Sequence, residues 1–384
     1  MMSTKISRKL VFKNGFRQAS AWIPLLTLLL LILAFSLAHD AFLTERNLTN
    51  LFRQVSVNCI LAFGMTLVIL IGGIDLSVGS VLALCAVGAG LLQRDGGFAD
   101  FGMMGTLATG AAILAIGALT GGAIGGMVSK LKMPAFVASL GLFAIARGLA
   151  HISSGSNQIT GFSSSFRWIG DSSLSPFLSL ILISGAAIFA ISFPILKIAR
   201  KGEAFRSLAK IFAILVLSIC ALKIFYGHEG IPISVLVTAV LFFVFYVVLN
   251  HSVWGRSLYA LGGNPEAARL CGIPVERFVF LTYVVMGLCV GLAAWVECGR
   301  LATADPRGGA LYELDAIAAV VIGGTSLRGG VGRIEGTLLG ALLIGTLSNG
   351  MSLMNVESNY QNVIKGLIIL GAVFIDLASK GNKE

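Results

Sequence analysis

Ile71-Gly72-Gly73-Ile74-Asp75-Leu76-Ser77-Val78-Gly79-Ser80 joins two apolar runs, 55–71 and 78–92, and places an acid where lipid would penalise one. Glycines permit an unwound backbone, which is tolerated at membrane depth only when it is buried in protein or lines a wet cavity. The stretch therefore predicts a break between membrane helices, and it makes Asp75 and Ser77 candidates for lining a translocation path. The plainer reading is that Asp75 caps the following helix at an inner interface by accepting backbone N–H bonds.

Outward from this break, further apolar runs lie at 22–37, 105–128, 135–152, 177–196, 208–226, 232–249, 278–296, 314–324, 334–350 and 360–377, which makes twelve. The chain has 384 residues, 56% of them hydrophobic and 12% charged, about half the charged fraction of a soluble protein. That excludes an ordinary cytosolic enzyme. A span needs about 20 apolar residues, so ten to twelve spans account for most of the chain and leave no room for a large soluble domain. The expected fold is all-α: a polytopic membrane protein of about 10–12 transmembrane helices, some broken or re-entrant. The run 314–324 is too short to cross a hydrocarbon layer of about 30 Å at about 1.5 Å per residue, which points to a half-helix or re-entrant segment. The expected organisation is a tail over 1–21, a transmembrane domain over 22–377 and a second tail over 378–384. No small-residue cleavage site follows the first run, so it reads as a retained span.

The net charge of +10 could signal nucleic acid, but in a membrane chain it first tests topology. With the N-terminus in the cytoplasm and the spans alternating, 19 Lys and Arg fall on inner segments and 7 on outer loops; Arg147 and Lys365 lie within spans. The excess places both termini in the cytoplasm and explains the charge without a nucleic-acid partner. The 47 glycines suit close helix packing and broken helices.

Little else in the chain carries chemistry. Cys59, Cys85, Cys220, Cys271, Cys289 and Cys298 are scattered, and no two of the four His stand at metal-ligand spacing, so no metal or disulfide framework is expected. There is no Gly-Lys dipeptide, hence no Walker-type phosphate loop, and no His-Glu-x-x-His or Gly-x-Ser-x-Gly. No catalytic residue and no ATPase site are expected in this chain. Polar residues in or beside spans are Asn58, Arg147, Glu297, Glu313, Asp315, Asn349, Lys365 and Asp376. With Asp75 and Ser77, the path candidates are Asn58, Asp315 and Asn349. Lys365 and Asp376 are eleven residues apart, about 16 Å along a helix, so Lys365 is expected to pair with another helix or to reach water. Ile322-Gly323-Gly324-Thr325-Ser326-Leu327 repeats the phrase Ile-Gly-Gly-x-x-Leu, as two related halves around a central path would. The match is too short to prove a repeat. The outer loop 153–173, Ser-rich and carrying Trp168, reads as a solvated connection or as a docking surface.

The inner loop 250–277 contains a short helix with defined ends over 263–272. Asn264 suits the N-cap, Pro265 the first helical position, Glu266 the positive helix end and Gly272 a left-handed closure. Isolated helices of about two turns are marginal in water, so this one is expected to dock on something; the alternative is packing only on its own protein.

The stretches 72–80, 260–273 and 313–327, in this order, closely resemble the permease subunit of bacterial monosaccharide ABC importers, the ribose, xylose and galactose branch. The resemblance extends from about Phe42 to Asp376. It implies a multi-pass permease of the bacterial inner membrane, paired with a second copy, two cytosolic ATP-binding subunits and a periplasmic sugar-binding protein. No cofactor is implied on this chain; ATP and Mg belong to the ATPase. It also implies that the short helix sits in a cleft of the ATPase, with Gly263, Asn264, Pro265, Glu266, Ala267, Ala268, Arg269 and Gly272 as the coupling residues. Shorter ribose-type permeases lack much of 197–226, where this chain has Lys197, Arg200, Lys201, Arg206 and Lys210 before an extra apolar run. The longer form resembles the xylose type and favours xylose or a similar aldose, moved by alternating access. Two other readings stay open. One is a secondary transporter with Asp75 or Asp315 coupling to an ion gradient; the other is an intramembrane enzyme, for which no nucleophile or metal constellation is visible.

Overall fold

The structure is a computed structural model and describes residues 24–201 and 204–381. The tail 1–21, the first two residues of the 22–37 run and the last three residues of the chain lie outside the described residues. So does the side chain of Asp376, as do those of Lys197, Arg200, Lys201 and Arg206.

The elements are α1 (Pro24–Ala38), α2 (Glu45–Leu70), α3 (Val78–Arg94), α4 (Gly102–Ser129), α5 (Ala135–Ser154), α6 (Ser164–Asp171), α7 (Pro176–Lys201), α8 (Ala204–Tyr226), α9 (Ile233–His251), α10 (Val253–Gly263), α11 (Pro265–Leu270), α12 (Val275–Leu301), α13 (Tyr312–Ile322), α14 (Ile334–Leu353) and α15 (Ser358–Gly381). A 3-10 turn, Phe98–Phe101, leads into α4. Among the described residues the strands are β1 (Ile159–Thr160) and β2 (Thr303–Ala304), paired antiparallel. Each of the twelve apolar runs falls on a helix, and seven described helices are long and apolar enough to cross a membrane. The chain is a multi-pass helical membrane protein. The run 314–324 becomes α13, 11 residues and so about 16 Å long.

Helix α2 is the axis of the bundle. Every residue from Val55 to Leu70 is buried, because α12, α14, α13 and α9 pack around it. A helix that is apolar on all sides belongs in such a core. The opposite case is the α7–α8 pair, which presents Phe177, Ile188, Phe189, Phe212 and Leu217 outward, as a face against lipid does.

Helices α4 and α12 pack backbone against backbone. A Cβ on Gly117 would strike the Gly287 carbonyl, one on Gly121 the Tyr283 carbonyl, and one on Gly287 the Gly117 carbonyl. Lipid tails are as apolar as leucine, so helices in hydrocarbon associate through close van der Waals approach, and small residues make that approach available.

Contacts between loops define two faces. On the first, β1 meets β2, Ser173 bridges to Pro232, and Arg53 donates to Ser173 Oγ and Glu229 Oε2, both at 2.9 Å. On the second, Lys132 pairs with Glu276 at 2.8 Å, and Gly330 N–H donates to the Leu70 carbonyl at 2.9 Å. Lys130, Lys132, Arg256, Arg269, Arg277, Arg328 and Arg333 cluster at helix ends and loops of the second face. The 153–173 segment on the first face is anchored. It forms α6, with Ser163 accepting from Phe166 N at 3.2 Å, and Phe166 stacks between Phe162 and Trp295. Trp168 on the same helix is 52% exposed.

Gly117→Ala is expected to destabilise the protein by about 1–3 kcal/mol through overpacking. Gly126→Ala, where an added Cβ meets nothing within 4 Å, should be neutral or stabilising by up to about 1 kcal/mol. Size-exclusion of the detergent-solubilised variants after graded heating compares the two directly; equal midpoints would show that the seam tolerates a methyl group.

Candidate functional site

The capped helix stands at the second face. Asn264 Oδ1 accepts from Glu266 N at 3.1 Å and Ala267 N at 3.0 Å, and Pro265 occupies the first helical position. At the other end Ile273 N–H reaches the Ala268 carbonyl at 3.1 Å and Gly272 N–H the Arg269 carbonyl at 3.0 Å, which is a Schellman closure. Ala268 is buried, whereas Gly263, Asn264, Pro265, Glu266, Ala267, Arg269 and Gly272 are exposed. Leu270 is 85% exposed. The helix thus buries Ala268 against its own protein and leaves the other seven residues exposed. Behind it, Glu276 Oε1 lies 2.8 Å from Lys132 Nζ and 3.8 Å from Arg269 Nη2.

A helix this short is positioned by its neighbour. Helix α10, which lies in a stretch that reads as loop from sequence, leads straight into it. The signal for α10 was present: Ser252 accepts from Gly255 N at 3.0 Å as its N-cap, and Trp254, Leu258 and Leu261 recur at helical spacing on its packed side.

The break after α2 is built from helix-stop chemistry. Gly73 N–H donates to the Val68 carbonyl and Gly72 N–H to that of Ile69, both at 2.9 Å, with Gly72 at φ +78°. Helix α13 ends identically: Thr325 N–H donates to Val320 at 3.1 Å and Gly324 N–H to Val321 at 2.9 Å, with Gly324 at φ +89°. The left-handed residue is the first glycine of the phrase at one site and the second at the other. The shared Ile-Gly-Gly therefore marks two equivalent helix endings that stand one residue out of step with the sequence match.

Beyond Gly73, Asp75 Oδ1 accepts from Ser77 N at 2.8 Å and Ser77 Oγ at 2.6 Å. Asp75 is 3% exposed, and its carboxylate closes a turn just before α3; the N-cap position itself is held by Ser77, so Asp75 does not accept from the N–H groups of the helix as the capping reading expects. Ser139 Oγ on α5 donates to the Ile74 carbonyl at 3.4 Å. A second unwound segment, 305–311, enters from the first face after β2 and runs against α3, where Gly309 lies on Gly79. Arg147 on α5 holds it. Its Nη1 donates to the Pro306 and Gly308 carbonyls, each at 2.8 Å, and its Nε to Ser80 Oγ at 3.2 Å. Glu313, in the first turn of α13, is buried beside Gly79 and within electrostatic reach of Arg147. Irregular backbone from both faces thus meets inside the bundle, its carbonyls satisfied by side chains of α5.

The other path candidates are dispersed. Asn58 is buried on α2. Asn349 on α14 exchanges two hydrogen bonds with Asn47 at the start of α2, at 2.9 and 3.0 Å. Asp315 on α13 accepts from Lys365 Nζ on α15 at 2.9 Å, so Lys365 does pair with another helix. Of the five candidates, Asp75 and Ser77 are bonded to each other, while Asp315 and Asn349 are each bonded elsewhere. Glu297 accepts from Arg300 at 3.0 and 3.2 Å and from Tyr312 Oη at 2.8 Å. Among the described residues no group of three His, Cys, Asp or Glu is placed to hold a metal.

A helical bundle crossed by unwound segments from both faces, with a capped helix exposed at one of them, has the architecture of a membrane permease. The family described as branched-chain amino acid transport system / permease component matches residues 47–373, and the chain belongs to it. The chain is 38% identical to the ribose import permease protein RbsC of Escherichia coli (strain K12), over 93% of this chain and 94% of that one. It is 37% identical to RbsC of Bacillus subtilis (strain 168), over 92% and 91%. It is 35% identical to the xylose transport system permease protein XylH of Haemophilus influenzae, over 96% and 99%. No solved structure matches.

Lys365→Met strands the Asp315 carboxylate and is expected to cost about 3–5 kcal/mol, most of which the double variant Asp315→Leu/Lys365→Met should regain. Thermal unfolding in detergent reads both, and additive losses would show that the pair is not coupled. Arg147→Met leaves the Pro306 and Gly308 carbonyls unpaired, each at about 1–3 kcal/mol. The same assay should show a drop comparable to that of Lys365→Met.

Proposed function

We propose that this chain is the membrane-spanning permease of an ATP-binding-cassette importer that carries a monosaccharide from periplasm to cytoplasm by alternating access. The observation that carries the reading is α11: a fully capped helix, exposed on the basic face, formed by the stretch 263–272. Relatives named for ribose and xylose, similar over nine-tenths of both chains, supply the substrate class. In this reading Gly263, Asn264, Pro265, Glu266, Ala267, Ala268, Arg269 and Gly272 engage a cytosolic ATP-binding subunit, which holds the ATP and Mg. Two copies of the permease rock together when the ATPase dimer closes, and a periplasmic binding protein delivers the sugar. The excess of Lys and Arg on the second face supports a reading in which that face and both termini lie in the cytoplasm and the chain in the inner membrane.

The path runs by the α2–α3 break, with Asp75 and Ser77 at its edge and Asn58, Asp315 and Asn349 as the further polar positions. The long 197–226 stretch favours xylose or a similar aldose, and the XylH relative, aligned over 99% of its length, supports it; ribose is the other reading. The ion-gradient alternative needs a carboxylate free to exchange its cation. Asp315 is held by Lys365, which counts against it as that carboxylate.

Glu266→Lys reverses the charge at the exposed start of α11. It is expected to leave the amount of permease in the membrane unchanged while recovery of the ATP-binding subunit in a mild-detergent pull-down falls at least tenfold. Normal co-purification would count against α11 as the docking element. A wild-type permease that comes down alone, under conditions preserving other membrane complexes, would turn attention to ion-driven transport.

A further inference from the structure

The exposed helix has a base as well as a tip, and the base is made mostly of backbone. Gly262, two residues before the Asn264 cap, lies directly on the end of α2: a Cβ there would strike the Leu70 carbonyl and the Gly330 nitrogen. Leu70 is the last residue of α2, and its carbonyl belongs to the group that a helix C-terminus leaves without an intrahelical donor. The Gly330 N–H supplies one at 2.9 Å. A Cβ on Gly329 would lie 2.9 Å from the Gly72 nitrogen and 3.0 Å from both the Gly262 and the Leu70 carbonyls, and one on Gly330 2.7 Å from the Gly263 nitrogen. Tyr259 on α10 adds a bond from its hydroxyl to the Gly332 carbonyl at 3.0 Å. Three chain segments, 259–263, 70–73 and 326–332, therefore meet with almost no side chain between them.

We propose that this glycine joint is the positioning element that ties the movement of α11 to the break after α2 and to the connection between α13 and α14, with Gly262, Gly330 and Tyr259 as its positioning residues. The inference rests on α11 being the docking helix of the importer. Close-packed protein transmits displacement rather than absorbing it, and here the packed atoms are peptide groups that cannot change rotamer. From the joint, Gly72–Gly73 lead straight into the Asp75–Ser77 turn and α3, while 326–332 follow the stop of α13 and lead into α14. Besides the buried Ala268, α11 is linked to the bundle by Arg269 to Glu276 to Lys132, exposed ionic side chains that reorient at little cost.

The test is hydrogen–deuterium exchange on the permease–ATPase complex in nanodiscs, without nucleotide and then with ATP, Mg and vanadate. With the joint rigid, exchange in 264–271 changes on trapping and exchange in 70–73 and 326–333 changes with it, by at least fivefold in rate. A response at 264–271 with none at 70–73 and 326–333 overturns the joint and leaves the docking role of α11 standing. No response at 264–271 overturns the docking role and the joint with it. Gly262→Ala should retain the response at 264–271 and lose it at 326–333; a full response at both sites overturns the proposal. If that variant fails to insert, Tyr259→Phe, which removes only the hydroxyl bond, should reduce the response at 326–333 severalfold, and a wild-type response overturns the proposal.

Discussion

Everything in this bundle depends on peptide groups coming into contact with peptide groups. In hydrocarbon the hydrophobic effect draws no helix toward another, and a backbone group without a partner costs several kcal/mol. The chain meets both conditions with glycine. Where helices run regularly, as at Gly117 and Gly287 between α4 and α12, the absent side chains let two backbones reach van der Waals contact along their length. Where helices stop, as at Gly72 and Gly324, glycine takes the left-handed conformation that returns the last N–H groups to the helix just completed.

These two uses of glycine settle where α2 sits. Its final carbonyl is reached by Gly330 and its flank by Gly262, so the helix is clamped at the second face while α12, α14, α13 and α9 enclose its shaft. Side chains of α5 then complete the interior, because Arg147 and Ser139 donate to carbonyls of the two unwound segments. A regular helix at either place would need no donors from α5. The breaks and the polar face of α5 require each other.

Some of this was legible in the sequence and some was not, for identifiable reasons. The twelve runs follow from apolar length, α11 from four residues whose cap preferences act within one turn, and the break at 71–77 from glycines around an acid. Local chemistry reports local structure. Helix α10 escaped because Ser252 and the Trp254, Leu258 and Leu261 spacing sit in a stretch whose charges suit a loop. Two of the three partners of Arg147 escaped for a stronger reason: they are backbone carbonyls of 306 and 308, which carry no residue-type signature. The same holds for the joint, where Leu70 contributes only its carbonyl. The Ile-Gly-Gly phrase gave two related helix endings but not their register, since either glycine of the pair can take the left-handed position.

The polar side chains inside the bundle raise a final point about selectivity. Asn349 is spent on Asn47, Lys365 on Asp315, Ser77 on Asp75, and Gln93 on Thr109 and Ser163. Apart from Asp75 and Ser77, which close a single turn, these pairs fasten one segment to another. A site that discriminates strongly between similar hydroxylated molecules does so by leaving its own buried donors unpaired when the wrong one binds. Side chains already paired with each other are poorly placed for that task. Glu313, Tyr283 and Ser348 differ: each is buried with a side-chain oxygen that has no hydrogen-bond partner among the described residues, so any discrimination by this chain rests with such groups rather than with the pairs.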